Sequence, residues 1–156
     1  MKLSPEDLIK LFEQFGNWDK TLGLEIAIDE NQNLYYQLEI NQKHLSRPTT
    51  SHGGVIAAMM DSVLGIRALQ EATSRGMLCS TVEFKINFLR PALKGQKLRG
   101  VAQIDFSGKS LMVLSAEIYA LSEKNNEQSL PMAKGQGTFN LYLPDSKEFK
   151  DLYPPN

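Results

Sequence analysis

One acidic residue, Asp61, lies in an apolar run that begins at Gly53 and Gly54. The two glycines open a predicted helix, and the first N–H groups of a helix have no partner within it, so they can bind a partial negative charge. Asp61 follows Gly54 by seven residues, which is about two turns at about 3.6 residues per turn, so the carboxylate lies on the face that starts at the glycines. The spacing therefore predicts a hydrogen-bond donor site and an acid on one helical stripe.

The helix that positions these groups is predicted from Gly54 to about Thr73, a segment without proline. Its apolar residues cover most of the helix circumference, which is typical of a buried helix. A short amphipathic helix is predicted near the start of the chain, with Ser4 as N-cap, Pro5 in the first turn and Gly16 as the stop.

The remaining core is predicted to be β-structure. Runs 24–28 and 34–40 flank turn residues and indicate a hairpin, and residues 41–50 are predicted as a loop. Four more strands are predicted after Gly76. In the first of them, apolar residues alternate with polar ones: Val82, Phe84, Ile86 and Phe88 with Thr81, Glu83, Lys85 and Asn87. The other three are predicted at Leu98 to Phe106, Leu111 to Leu121 and Met132 to Leu143.

The order of elements is a helix, two strands, a long buried helix and four strands. This order predicts an α+β fold in which an antiparallel sheet curls around the central helix. The length of 156 residues and the 42% of hydrophobic residues predict one domain over residues 1–156, with its core at about 22–143 and a tail at 144–156.

Composition narrows the classes of partner and the location. The net charge of −1 gives no reason to expect nucleic acid or an anionic membrane as a partner. The single cysteine, Cys79, and the acids near the N-terminus lead us to expect a reducing, cytoplasmic setting. The apolar run up to Met60 is much shorter than the roughly 20 residues that span a bilayer, and His44, His52, Asp61 and Cys79 show no ligand spacing for a metal such as zinc.

Two segments resemble the hotdog-fold acyl-CoA thioesterases, in particular the phenylacetate-degradation type. In that family a His-Gly-Gly opens the central helix and an acid follows nine positions after the histidine, as at His52 and Asp61. The second segment is the strand from Thr81 that ends in Arg90-Pro91, and the resemblance extends to Gly95 and to Gly108-Lys109-Ser110. It covers about residues 45–141.

The resemblance implies a hydrolase that cleaves an acyl-CoA thioester to a free acid and coenzyme A. An acid in the position of Asp61 acts as general base or nucleophile, and the N–H of Gly53 polarises the thioester carbonyl. A hydroxyl in the position of Thr81 positions the attacking water, although a threonine in a strand needs no such role. His52 would orient the loop or contact substrate, or only bind the local backbone, and Gly54 would line the substrate site.

The resemblance also implies a homodimer or a homotetramer built as a dimer of dimers. The site would then lie between subunits, with Asp61 facing the Gly53 amide of the partner subunit. No cofactor is implied, because coenzyme A is part of the substrate.

The stretch before His52 departs from the family pattern. Many members carry Asn six residues before the histidine with Gly midway, whereas this chain has Ser46 and Thr49. The change leaves open a different acyl preference, a different rate or no hydrolysis. Two alternatives therefore stand beside the hydrolase: an acyl-CoA binding module without catalysis, and a hotdog dehydratase or hydratase.

A basic stretch follows the central helix. Residues 85–109 contain six Lys or Arg and one acid, Asp105, and such a field suits the phosphates of coenzyme A, although edge strands and loops also carry lysines for solubility. By resemblance the substrate contacts are expected at Arg90, Pro91, Gly108, Lys109 and Ser110, with Ser46 in the place of the usual Asn.

Overall fold

The computed structural model describes residues 3–122, 128–145 and 147. The helices in this part of the chain are α1 (Pro5–Phe15), α2 (Asn17–Leu22) and α3 (Gly53–Ser74), with a 3-10 turn at Gln42–His44. The strands are β1 (Glu25–Ile28), β2 (Leu34–Glu39), β3 (Leu78–Phe88), β4 (Lys97–Ser107), β5 (Leu111–Leu121) and β6 (Gln128–Tyr142). Most of the predicted tail, residues 144–156, lies outside the described residues.

The six described strands form one antiparallel sheet in the order β1-β2-β4-β5-β6-β3. Helix α3 packs against β2 through β6 on one face of this sheet, and its residues Met59, Met60 and Leu64 are fully buried. The predicted fold is confirmed: an α+β hotdog fold, with a curved antiparallel sheet around one long helix and a short N-terminal helix.

Glycines in the sheet let α3 approach the strands closely. A Cβ atom at Gly100 would lie 2.3 Å from Val63 Cγ2, and one at Gly135 would lie 2.6 Å from Met60 Sδ. Neither distance is compatible with a side chain, so these positions set how deeply the helix sits in the sheet.

The N-terminal region contains one helix that the sequence did not predict. Helix α1 starts with a capping box of Ser4 and Asp7 and ends before Gly16, as predicted. The chain then forms α2, whose six residues are too few for a periodic pattern. Similarly, the predicted loop 41–50 contains the 3-10 turn, which ends at the buried His44.

The alternation predicted for β3 is wrong at its centre. Val82, expected on the buried face with Phe84, is 58% exposed. The register with β6 shifts between Thr81 and Glu83, where one extra residue forms a β-bulge. Because the bulge changes the alternation by one residue, Thr81 lies on the same face of β3 as Phe84 rather than on the opposite one.

Candidate active site

Asp61 is half-buried in the middle of α3 and is held by one hydrogen bond from β3. The Thr81 hydroxyl donates to Asp61 Oδ1 at 3.1 Å. The second carboxylate oxygen, Oδ2, accepts no hydrogen bond from the described residues. One oxygen is therefore fixed, and the other is available to accept a proton from a bound molecule.

The bulge in β3 makes this contact. Phe84 and Ile86 pack against the core, and in a regular strand with these residues inside, Thr81 would point away from α3. The extra residue, Val82, brings the Thr81 hydroxyl to the carboxylate. The β-bulge thus brings together Asp61 and Thr81, two of the predicted catalytic residues. A regular strand would not bring them together.

The start of α3 presents a free N–H donor. The Nδ1 atom of the N-cap residue His52 accepts the N–H of Gly54 at 2.8 Å, and Val55 N–H donates to the His52 carbonyl. Among the described residues no acceptor is bonded to the N–H of Gly53. The backbone therefore leaves Gly53 as the donor that could bind a carbonyl oxygen.

His52 and Gly54 form this cap together. A Cβ atom at Gly54 would lie 2.8 Å from His52 Nδ1, so a side chain there would push the ring out of its capping position. His52 is exposed and binds the local backbone, and this contact orients the loop at the helix start.

Gly53 and Asp61 of one chain are too far apart to act on the same bond. They are eight residues apart on one helix, which corresponds to about 12 Å at about 1.5 Å per residue. A thioester carbonyl bound by Gly53 would therefore lie out of hydrogen-bond reach of Asp61 in the same chain.

A groove of about 340 Å³ lies beside Gly53. Its lining includes Ile56, Phe88, Leu89, Arg90 and Pro91. The Phe88 ring approaches to 3.7 Å of where a Gly53 Cβ would stand, and the ring is 55% exposed. Sequence reasoning placed Phe88 in the core and missed it as a site residue, because its neighbour at the helix start is distant in the chain.

Ser46, the residue in the place of the usual Asn, lies in a loop pinned by backbone bonds. Its N–H donates to Thr50 O at 3.0 Å, and the flanking Leu45 and Ser51 form an isolated β-bridge. Ser46 is exposed, and its hydroxyl has no bonded partner in the described part of the chain.

The predicted coenzyme A contacts do not converge within one chain. Gly108, Lys109 and Ser110 form the β4–β5 turn, where Gly108 O accepts a hydrogen bond from Arg75 at the end of α3. Ser110 O accepts from Leu141, which is paired with Cys79 at the start of β3. Arg90 follows the other end of that strand and donates to Pro131 O at 2.6 Å.

A second carboxylate, Asp19 of α2, was also missed. Its Oδ2 accepts from Tyr36 OH at 2.6 Å and its Oδ1 accepts from Ser62 at 2.9 Å, so it ties α2 to the residue after Asp61. Burial, and then the hydrogen bond to Asp19, raises the pKa of Tyr36 well above its ordinary value. No sequence signal links Asp19 to α3, because the contact joins residues that are 43 positions apart.

The described residues contain no group of three or more His, Cys, Asp or Glu side chains arranged to hold a metal ion. Among those same residues no helix is both long and apolar enough to cross a bilayer.

A sheet wrapped around one long helix, with an acid on that helix and a free amide at its start, defines a hotdog-fold protein. The sequence model of the thioesterase superfamily matches residues 49–125, a segment that contains Gly53, Asp61 and Thr81. Over this segment the chain is similar to the thioesterase superfamily, and it is a thioesterase.

Relatives and solved structures agree with this assignment. The chain is 24% identical over 142 residues to acyl-coenzyme A thioesterase 13 of Homo sapiens, covering 90% of this chain and 96% of the relative. Its fold is similar to that of the PaaI protein from the phenylacetic acid degradation operon of E. coli, with a TM-score of 0.69, 20% identity and coverage of 86% and 90%. It is also similar to a Streptococcus mutans protein solved with acetyl-CoA, with a TM-score of 0.62, 19% identity and coverage of 76% and 88%.

Proposed function

We propose that the protein hydrolyses an acyl-CoA thioester to a free acid and coenzyme A, with Asp61 as general base or nucleophile. The observation that carries the proposal is the state of the Asp61 carboxylate, which the Thr81 hydroxyl holds through Oδ1. The other oxygen, Oδ2, has no partner in the described residues. A positioned carboxylate with one open oxygen is suited to remove a proton from water.

A second copy of the chain completes the proposed site. About 12 Å separates Gly53 from Asp61 along one helix, so a Gly53 amide that works with Asp61 must come from another subunit. This requirement agrees with a homodimer or a homotetramer as the working form. Each dimer would then contain two equivalent sites.

In the general-base form, Oδ2 of Asp61 takes a proton from water while the water oxygen forms a bond to the carbonyl carbon. The Gly53 N–H of the second copy donates to the carbonyl oxygen as it becomes negative. The C–S bond then breaks, the thiolate of coenzyme A leaves and the proton on Asp61 passes to that thiolate. A thiolate is a good leaving group, so one carboxylate and one donor can suffice.

The relatives support coenzyme A as the carrier of the acyl group. The human relative is named an acyl-coenzyme A thioesterase, and the Streptococcus mutans structure contains acetyl-CoA. The groove beside Gly53 has apolar walls, which suit the pantetheine arm or the acyl chain.

The proposal is tested by measuring thiol release from a panel of acyl-CoAs with wild type, Asp61→Asn and Asp105→Asn. Asp105 is an exposed carboxylate that accepts a hydrogen bond from Ser115, so its variant controls for loss of an acid elsewhere. We expect Asp61→Asn to lower kcat by about 10²- to 10⁴-fold and Asp105→Asn to keep the wild-type rate.

Three outcomes would contradict this function. Equal rates in wild type and Asp61→Asn would exclude the role given to Asp61. Binding of acyl-CoA without thiol release from any ester would indicate a binding module. Hydration of an enoyl-CoA without thiol release would indicate a hydratase.

A further inference from the structure

We infer that Arg47 and Lys94, together with Arg90, form a binding site for the phosphates of coenzyme A beside the start of α3. The inference rests on the proposed function and assigns the nucleotide end of the substrate to this site. Its first support is the charge distribution. Residues 41–60 and 84–104 contain seven Lys or Arg and no Asp or Glu, whereas the rest of the chain carries a net charge of −8.

The fold brings these two acid-free segments together. Thr50 and Leu93 form an isolated β-bridge, Ser51 N–H donates to the carbonyl of residue 92, and Lys94 N–H donates to that of residue 49, both at 2.9 Å. Arg47 lies in the same tight loop, with its N–H bonded to Thr50 O at 3.3 Å. The backbone segments that carry Arg47 and Lys94, more than 40 positions apart in the sequence, thus lie side by side.

Four of the seven cations are placed elsewhere. Lys43 donates to Thr21 O at 2.7 Å, and Arg99 stacks 4.7 Å above the ring of Tyr35. Lys97 lies opposite Glu39 in the register of the β2–β4 ladder. Lys85 lies between two core-facing residues of β3 and therefore points to the outer face of the sheet.

The other three cations, Arg47, Arg90 and Lys94, are exposed. Arg90 Nη1 donates to Pro131 O at 2.6 Å, which fixes the guanidinium and leaves its other N–H groups available. Lys94 Nζ donates to the neutral amide oxygen of Gln42 at 2.9 Å. In the described part of the chain no carboxylate forms an ion pair with any of the three.

This set matches the chemistry of coenzyme A. Arg90 lies on the apolar groove that begins at Gly53, so a ligand with a neutral arm in the groove would present its charged end to these cations. Arg47 is exposed, and its guanidinium has no bonded partner among the described residues. A guanidinium binds phosphate through two parallel hydrogen bonds. The β4–β5 turn with Lys109 lies beyond the opposite end of β3 and is the competing location.

The test measures the Kd of free coenzyme A by calorimetry for wild type, Arg47→Gln, Lys94→Gln and the double variant. Lys85→Gln, from the same acid-free segment, is the matched control, and Lys109→Gln tests the competing turn. We expect each single variant at Arg47 or Lys94 to weaken binding by about fivefold to tenfold. The double variant should also lose part of the salt dependence of Kd, and Lys85→Gln should bind as wild type does.

Kinetics separate phosphate binding from catalysis. With the best acyl-CoA of the panel, Arg47→Gln should raise KM by a similar factor and change kcat by less than about twofold, whereas the matching acyl-pantetheine thioester, which lacks the phosphates, should show no change in KM. If coenzyme A binds in a way that depends on Arg47 but no thiol is released, the phosphate site is supported and the proposed hydrolysis is contradicted. Unchanged Kd in the double variant, absence of coenzyme A binding in wild type, or a loss in Lys109→Gln alone would each overturn the inference.

Discussion

The two sides of α3 differ in how completely their polar groups are satisfied. Towards β3, Asp61 receives one hydrogen bond from Thr81 and keeps an open oxygen. Towards α2 and β2, the next residue, Ser62, donates to Asp19, whose other oxygen accepts from the Tyr36 hydroxyl. Each side of α3 thus has one carboxylate. Asp61 has one hydrogen-bonded oxygen among the described residues, whereas both oxygens of Asp19 are hydrogen-bonded.

Under the proposed function, the β3 side of α3 is the reactive side and the opposite side is the structural side. Asp19 uses both oxygens to join α2, β2 and α3 around a fully buried Tyr36 hydroxyl, so its loss should act on stability. On the β3 side, the Gly53 N–H and Asp61 Oδ2 have no partner among the described residues, and such groups are available to a substrate. Changes on the β3 side should therefore alter kcat, and changes on the other side should alter the free energy of unfolding.

After the loss expected for Asp61→Asn, the largest effect is expected when the free N–H at the helix start is removed. Gly53 is the first helical residue, where proline is well accommodated, and His52 before it is extended at φ −65° and ψ 136°. Gly53→Pro should fold and lower kcat by about 10²- to 10³-fold, because it deletes the proposed oxyanion donor.

Gly53→Ala is the matched control, since it adds a Cβ with ordinary 3.7 Å contacts to Phe88 and keeps the N–H. Its kcat should exceed that of Gly53→Pro by at least about tenfold. Dimers mixed from Gly53→Pro and Asp61→Asn subunits should regain activity far above either variant. Failure of the mixed dimers to recover would place both groups of a site in one chain.

The next effect concerns the bulge that aims Thr81. Thr81→Val removes the hydroxyl that holds Asp61 and should lower kcat by about 10- to 100-fold with little change in stability. Val82→Thr alone should have kcat close to wild type, and the double variant Thr81→Val with Val82→Thr should stay as slow as Thr81→Val. Recovery of kcat in the double variant would mean that residue 82, and not residue 81, faces the helix.

On the structural side of α3, Asp19→Ala should lower the free energy of unfolding without lowering kcat. The change leaves the buried Tyr36 hydroxyl without its acceptor, so we expect urea unfolding to show a loss of about 1–3 kcal/mol. Adding Tyr36→Phe should recover part of this loss, because the two residues form one contact. A large fall in kcat with unchanged stability would contradict the distinction between the two sides.

The smallest effect is a dependence of stability on alkaline pH. Burial raises the pKa of Cys79 from 9.0 to about 12, so above about pH 9 the unfolded chain loses a proton that the folded chain retains. Below pH 9, ionisation of Cys79 therefore does not reduce the free energy of unfolding. As the pH rises above 9 the free energy of unfolding falls, by about 1.4 kcal/mol at pH 10. Unfolding at pH 8 and pH 10 should show this loss in wild type and a smaller one in Cys79→Ala, and identical losses would exclude Cys79 as the cause.

Much of the fold followed from local patterns. The helix from Gly53, the stop at Gly16 and the order of helices and strands along the chain are encoded in capping residues and hydrophobic spacing, which depend on neighbours in the chain. Helix α2 was missed because six residues do not complete two turns. The bulge at Val82 was missed because an extra residue does not disturb the composition of a strand, only its pairing.

The sequence by itself determined the residue types that can act, an acid on a buried helix that begins with two glycines. Only the tertiary structure decided that Thr81 reaches that acid, that Asp19 bonds to Ser62 on the opposite side, and that the backbone segments of Arg47 and Lys94 lie side by side. The physical reason is the separation along the chain of the residues that interact. Capping and periodicity act over a few residues, whereas these contacts join segments that are 20 or more positions apart and form only when the sheet closes around the helix.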